Sequence, residues 1–368
     1  MKYRIRKALQ DFDPVSYGQE IQEDKKGHSG HFIDCSLGTN PFGHSPLIQA
    51  NEDSWQSVRF SDYPESYDDL KRMILAHWQD TVSLDMDNLV LTAGAINGLS
   101  LINQVFIEDG SRVLGCGPQF PEYATDVRRH DGSYTAVSLG EGESLRFSPE
   151  NLLRQMDRRY TLVHLDHPNN PTGQVIPLDA IRDIAAAAQS QDSCLVVDEA
   201  YGDFMDPVES AVSLLKEFEN LIILRSFSKG MGLAGLRVGY VLASAPVCRY
   251  LGKISFPFAI NVVAYQAAQA ALQDLRFIQE SKAKIRKRKE AIRHACSRLQ
   301  MLETDDRVPI LVLAHPDSRF RLQEAFLNQG VLTVSGECFD NLAPRHVRLR
   351  VPQEIDRLLQ AIRRIEQE

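Results

Sequence analysis

Short apolar runs recur along the first two thirds of the chain, separated by stretches with helical spacing. The pattern predicts strands at 88–92, 112–116, 161–166, 194–198, 221–225 and 236–243. Helices are predicted at 96–106, 178–189 and 212–218. The strand runs are continuously apolar rather than alternating, as expected of strands buried on both faces of a mostly parallel sheet covered by helices. The first ~45 residues are polar and irregular, ending in Asn40-Pro41-Phe42-Gly43, and regular patterning starts near Asp62. Beyond Pro257 a long helical stretch runs through 282–299. Strand, helix, two strands and a last helix from Gln353 follow, which reads as a smaller α+β domain. An α/β fold is expected, in three parts. Residues 1–45 form a segment joining the small domain, 46–254 a large domain and 255–368 the small domain.

The length of 368 residues supports more than one domain, since one core organises roughly 250–300. A net charge of -8 argues against a nucleic-acid partner. Lys282-Ala283-Lys284-Ile285-Arg286-Lys287-Arg288-Lys289 is basic, but Ile285, Ile292, Ala295 and Leu299 recur at helical spacing. That run reads as the solvated face of an amphipathic helix. Six scattered cysteines without a CxxC pair point to a reducing compartment and no metal site. No apolar run follows the basic first residues or reaches the roughly 18 residues of a membrane span, so a cytoplasmic location without membrane contact is expected.

The chemistry concentrates around Lys229, in Arg225-Ser226-Phe227-Ser228-Lys229-Gly230-Met231-Gly232-Leu233-Ala234-Gly235-Leu236-Arg237-Val238-Gly239. A lysine among small, hydroxylic and apolar residues suits a desolvated amine that forms a Schiff base. Ser226, Ser228 and Arg237 can hold a phosphate. Asp198 ends the apolar run Cys194-Leu195-Val196-Val197, where a carboxylate needs a partner such as a protonated pyridine nitrogen. Tyr201 could donate to a phenolate oxygen. His167-Pro168-Asn169-Asn170-Pro171-Thr172-Gly173 forms a rigid turn presenting Asn170. Gly94, Ala95 and Ile96 mark a strand-to-helix junction, a natural phosphate site. Phe120, between prolines, can stack on a planar ring. The run Gly230-Met231-Gly232-Leu233-Ala234-Gly235 also matches a dinucleotide-binding GxGxxG. That fingerprint needs a helix after the glycines, whereas a strand-like run follows here.

Together, from about Asn40 to Gly239, these motifs resemble the fold-type I pyridoxal-phosphate enzymes, the aspartate-aminotransferase superfamily. Length, the Pro-Asn-Asn-Pro-Thr-Gly turn and Gly-Leu-Ala-Gly-Leu-Arg-Val-Gly-Tyr look most like the histidinol-phosphate aminotransferase group, near the threonine-phosphate decarboxylases. The resemblance implies pyridoxal phosphate as cofactor and a ping-pong transfer of an amino group from a small amino donor, an amino acid or an amino-alcohol phosphate, to a 2-oxo acid acceptor, in amino-acid biosynthesis. It implies that Lys229 carries the Schiff base and Asp198 pairs with the pyridine nitrogen. Tyr201 and Asn170 bond the ring's 3-oxygen, and Phe120 stacks on the ring where tyrosine is common. Gly94, Ala95, Ile96, Ser226, Ser228 and Arg237 hold the phosphate. Tyr63 reaches the cofactor of a neighbouring subunit, which implies a homodimer with shared sites. Arg348, in Val347-Arg348-Leu349-Arg350-Val351-Pro352, is favoured over Arg350 for the substrate carboxylate. Tyr17 and Asn40 are substrate candidates in the N-terminal segment. A decarboxylase would use the same cofactor set. A non-enzymatic pyridoxal-phosphate-binding regulator would carry a DNA-binding module in front, and no helix-turn-helix pattern is present there.

Overall fold

The computed structural model describes residues 32–50, 61–64, 66–142 and 144–367, together with Arg6 and Leu9. Tyr17 lies outside the described residues. The strands of the central sheet are β2 (Leu89–Thr92), β3 (Arg112–Gly117), β4 (Ser133–Ser138), β7 (Leu162–Asp166), β8 (Cys194–Glu199), β9 (Leu221–Ser226) and β10 (Gly239–Ala243). Between β4 and β7 lies a small hairpin of β5 (Gly140–Glu141) and β6 (Arg146–Phe147). The seven-stranded order is β2-β10-β9-β8-β7-β3-β4. Only β10 runs antiparallel to its neighbours in this sheet.

Side chains alternate between the two faces of each strand, and both faces are covered. Val196, Ile222 and Leu224 pack with α3 (Ala95–Phe106), α4 (Pro121–Arg129) and α7 (Ala245–Ile254). Leu195, Val197, Leu221 and Ile223 pack on the opposite face in one core with Ile48 of α1 (Pro46–Ala50), α2 (Asp68–Trp78), α5 (Pro149–Gln155), α6 (Leu178–Ser190) and α8 (Val262–Leu272). Continuous apolar runs are therefore what these strands require. The same alternation carries Asp166, Asp198 and Ser226, at the carboxyl ends of β7, β8 and β9, towards the α3 and α4 side.

A second, four-stranded antiparallel sheet has the order β11-β12-β15-β14. Its strands are β11 (Gln300–Met301), β12 (Ile310–Ala314), β14 (Val334–Ser335) and β15 (His346–Arg350). It shares a separate apolar core with α9 (Leu275–Ala295), α10 (Leu322–Asn328) and α11 (Ile355–Ile365). β1 (Ile33–Asp34) pairs in parallel with β13 (Val331–Leu332), so residues just before the large sheet are stitched to the carboxy-terminal part.

Three local expectations change. The strand predicted at 236–243 begins at Gly239. Ala234–Leu236 is a 3-10 turn, and Arg237 takes a left-handed conformation with φ 55. The helix predicted at 212–218 is a 3-10 turn, Ala211–Leu214. The Ser210 hydroxyl accepts Val212 N–H at 3.2 Å and the Glu199 carboxylate accepts Ala211 N–H at 2.7 Å, which ties the turn to β8. The basic face of α9 is not wholly solvated, because Lys282 and Lys289 are buried. Lys282 Nζ donates to Met205 O and Asp206, and Lys289 Nζ to Thr304 Oγ1, Asp305 O and Ile310 O at 2.6–2.8 Å. Those acceptors take all three donors of the Lys289 ammonium and two of the three on Lys282, where the Asp206 carboxylate also supplies a counter-charge.

Candidate active site

A cavity opens at the carboxyl ends of β7, β8 and β9, where open parallel sheets place their ligands. Lys229 lines it, three residues beyond β9, in a turn closed by Gly232 N–H to Lys229 O at 3.2 Å and Leu233 N–H to Phe227 O at 2.9 Å. Burial of the amine pushes its pKa down from 10.5 to about 8. Arg348 and Arg237 act in the same direction, while Asp198 and Glu122 oppose them. A neutral, nucleophilic amine is thus accessible near neutral pH.

Asp198 is held by Ala200 N–H, which donates to Oδ1 at 2.8 Å. Burial raises its pKa to about 6; the Ala200 N–H and the Lys229 charge limit the rise. Behind it, Arg225 forms a buried ion pair with Glu199 at 2.8 Å and with Asp203 at 2.6 Å, and its guanidinium lies 5.0 Å from the centre of the Trp78 ring. This triad couples β8 to β9 and so fixes the spacing of Asp198 and Lys229. Tyr201 is buried at the start of the next turn, its ring centre 5.3 Å from Lys229 Nζ.

On the α3 side, Arg237 Nη1 donates to Ser228 Oγ at 3.1 Å and to Ala234 O at 2.9 Å. Gly94 precedes α3 with φ 79, and a Cβ there would lie 2.5 Å from Arg237 Nη2. The backbone conformation calls for glycine, and a Cβ would also push the Arg237 guanidinium aside. No side chain caps this helix end, whose first residues, Ala95 and Ile96, line the cavity with Ser226 and Ser228. Guanidinium, hydroxyls and a helix N-terminus together make a phosphate cradle. Phe120 also lines the cavity. Asn170 is buried, and Arg348 Nη1 donates to its Oδ1 at 3.2 Å, so its amide nitrogen is the group left for a ligand oxygen.

The amine, the acid and the phosphate cradle surround one cavity, and this set fits pyridoxal phosphate. The residues 31–362 match the family model for aminotransferase class I and II. The chain belongs to the class I and II aminotransferases. A histidinol-phosphate aminotransferase of Halorubrum lacusprofundi is 31% identical over 93% of this chain and 91% of its own length. Histidinol-phosphate aminotransferase 2 of Archaeoglobus fulgidus is 28% identical over 98% and 99%. The solved histidinol-phosphate aminotransferase of Sinorhizobium meliloti, in complex with pyridoxal-5'-phosphate, superposes with TM-score 0.82 at 22% identity, covering 100% of this chain and 98% of that one. An aspartate aminotransferase of Thermotoga maritima gives 0.84 at 21% identity, covering 99% of each. This aminotransferase therefore has the aspartate-aminotransferase-like fold, and its cofactor is pyridoxal phosphate.

Other expected site residues of this aminotransferase sit further out. Asn40 does not line the cavity. Its Nδ2 donates to Gly230 O at 2.9 Å and Ser281 Oγ at 3.2 Å, and its Oδ1 accepts Phe42 N–H at 2.9 Å. One amide proton braces the Lys229 turn and the other ties Asn40 to α9, so the expected substrate contact gives way to a strut between the two. Tyr63 is 75% exposed and stacks on Phe258, ring centres 4.5 Å apart. Arg348 is fully buried on β15, bonded to Asn170 and Ser36 O, whereas Arg350 is spent on Thr39 Oγ1 at 3.0 Å and Asp34 O at 2.7 Å. Two glycines of the GxGxxG run serve packing: a Cβ on Gly232 would lie 2.0 Å from Gly43 O and one on Gly230 2.3 Å from Asp203 Cβ, whereas a Cβ on Gly235 would meet nothing within 4 Å.

Two residues with no sequence motif also belong here. Asp166 ends β7 and lines the cavity beside Asp198. Gly38 passes so close that a Cβ would lie 1.9 Å from Tyr201 Oη and 3.4 Å from Lys229 Nζ. Gly38→Ala should displace the Tyr201 hydroxyl and lower kcat/KM on the order of 10²-fold. Steady-state kinetics at matched cofactor occupancy check this, and native kinetics would refute the close approach.

Proposed function

We propose that this aminotransferase is of the histidinol-phosphate type, working as a cytoplasmic homodimer on an amino-alcohol phosphate or amino acid and a 2-oxo acid. The observation that carries the reading is the low-pKa amine of Lys229 facing Asp198 and the Arg237 cradle in one cavity. The names of the curated relatives support the donor class. The domain boundaries proposed are 1–45, 46–254 and 255–368, in keeping with the separate cores of the two sheets.

When bound, pyridoxal phosphate supplies a carbonyl carbon for amines and a cationic ring that draws electrons from the substrate Cα. The rest is the work of the chain. Arg237, Ser226, Ser228 and the amides of Ala95 and Ile96 anchor the phosphate. The Asp198 carboxylate holds the proton on the ring nitrogen. The Tyr201 hydroxyl and the Asn170 amide orient the ring oxygen, and Phe120 covers the ring face. Lys229 Nζ is the group placed to carry a proton at the substrate Cα. Arg348 receives the substrate carboxylate where the donor or acceptor has one. Tyr63, exposed and stacked on Phe258, reaches the neighbouring subunit's site, and that pair of rings supports a subunit interface there.

Initial rates with histidinol phosphate and 2-oxoglutarate test the scheme. Parallel double-reciprocal lines are expected, and converging lines would contradict a ping-pong transfer. Arg348→Lys keeps the charge but loses the planar fork. It should raise KM for the 2-oxo acid by roughly 10-fold or more, with kcat less affected.

The pH dependence of cofactor capture follows from two groups. Asp198 is anionic above about 6, and Lys229 loses its proton as pH rises through about 8. The capture rate of the cofactor-free protein should climb through pH 8 and level off above it, as read by stopped-flow absorbance. A rate flat between pH 6 and 9 would contradict the low-pKa amine.

A further inference from the structure

Two carboxyl groups meet on the wall of the cavity. Asp166 and Asp198 are register partners on the parallel strands β7 and β8, and both line the cavity. A carboxylate oxygen of Asp166, one of Asp198 and a ring nitrogen of His164 all lie within 4.8 Å of one another. Asp166 is buried, and its Oδ2 accepts Phe120 N–H at 2.8 Å. Its Oδ1 lies 3.7 Å from His164 Nε2, and the Asn170 backbone N–H also faces the carboxyl; with Phe120 N–H it favours the charged form, against burial and the Asp198 charge.

The surroundings decide which acid carries the charge. Facing Asp166 are Asp198 from β8, His164 from its own strand, Tyr123 from α4, Tyr134 from β4 and Cys116 from β3. His164 stacks on Tyr123 with ring centres 3.6 Å apart, and burial lowers its pKa to about 3, so it adds no positive charge. The cation Lys229 acts on Asp198 instead. Two buried like charges at neighbouring register positions repel, so one of the two sites keeps a proton.

We propose that Asp166 is a positioning residue that holds a proton on Oδ1 and so confines the negative charge of the acid pair to Asp198. This rests on the reading of Asp198 as the partner of the ring nitrogen. Burial and the Asp198 charge hold Asp166 well above the usual carboxylate range, whereas Asp198 rises only to about 6. A neutral Asp166 keeps a second anion out of the cavity and leaves Asp198 as the single counter-charge for a cationic ring.

Infrared spectroscopy of the cofactor-free protein and the holoenzyme tests this, because a protonated carboxyl has a carbonyl band distinct from that of a carboxylate. At neutral pH the wild-type protein should show such a band, and Asp166→Asn should lack it. In Asp198→Asn the pH midpoint of the band should fall by about one unit or more, since the repelling charge is gone. A wild-type spectrum without the band, a band that persists in Asp166→Asn, or an unmoved midpoint in Asp198→Asn overturns the proposal. If Asp166→Asn does not fold, the wild-type band and the Asp198→Asn midpoint decide. A full-rate Asp198→Asn enzyme would instead overturn the role of Asp198 and leave the Asp166 band readable in the cofactor-free protein.

Discussion

Lys229→Ala should cut turnover by about 10⁴-fold or more while the chain still folds and the phosphate cradle still binds cofactor. The loss is large because a single amine serves both as nucleophile and as proton carrier. No other described lysine lines the cavity. Lys289, the other lysine with a strongly lowered pKa, is enclosed by acceptors in the carboxy-terminal part. Turnover at the native rate would remove Lys229 from the catalytic role. A stability effect of the opposite sign accompanies the loss. In the unfolded chain the amine stays charged up to about 10.5, but in the folded protein only up to about 8. The folded state therefore bears the full cost of a desolvated ammonium below about pH 8, and that cost vanishes as pH rises towards 10.5. Lys229→Met, of similar volume, should stabilise the cofactor-free protein by on the order of 1 kcal/mol at neutral pH and by nothing above pH 10.5. Denaturant titrations at the two pH values measure this, and a gain independent of pH would contradict the burial argument.

Asp198→Asn should keep cofactor stoichiometry and lose on the order of 10²–10³-fold in kcat. Retention follows from geometry, since the phosphate anchors are on α3 and around Arg237, away from the end of β8. The rate falls because a neutral amide cannot keep a proton on the ring nitrogen, and without that proton the ring draws electrons weakly. Absorbance stoichiometry and steady-state kinetics on the same preparation separate the two effects. A full-rate Asp198→Asn enzyme would remove the electron-sink argument.

Much of this site was legible in the chain because its residues sit at the ends of simple patterns. An apolar run closed by an acid gave both β8 and Asp198. The small, hydroxylic setting of Lys229 marked a desolvated amine without any knowledge of its neighbours. Arg237 was expected at the edge of a strand, yet it occupies a left-handed turn. Periodicity does not distinguish these, because Leu236 and Val238 are apolar in either conformation. Asp166 closes its own run in the same way as Asp198, but nothing local links the two. Their pairing exists only in the register of β7 against β8. Gly38 was equally silent, since its position depends on β1 pairing with β13, almost three hundred residues away. The basic run of α9 was read from helical spacing alone, whereas Met205, Asp206, Thr304, Asp305 and Ile310 supply the acceptors that let Lys282 and Lys289 be buried.

The central claim is that Lys229, Asp198 and the cradle around Arg237 transfer an amino group from a phosphorylated amino alcohol or an amino acid. Its most direct test is a single-turnover absorbance measurement on the pyridoxal-phosphate-loaded enzyme, with histidinol phosphate, glutamate, aromatic amino acids and threonine phosphate added one at a time. The account predicts conversion of the lysine-bound cofactor band to that of pyridoxamine phosphate, fastest with histidinol phosphate. Release of carbon dioxide with the original band restored, or no lysine-bound band at all, would contradict it.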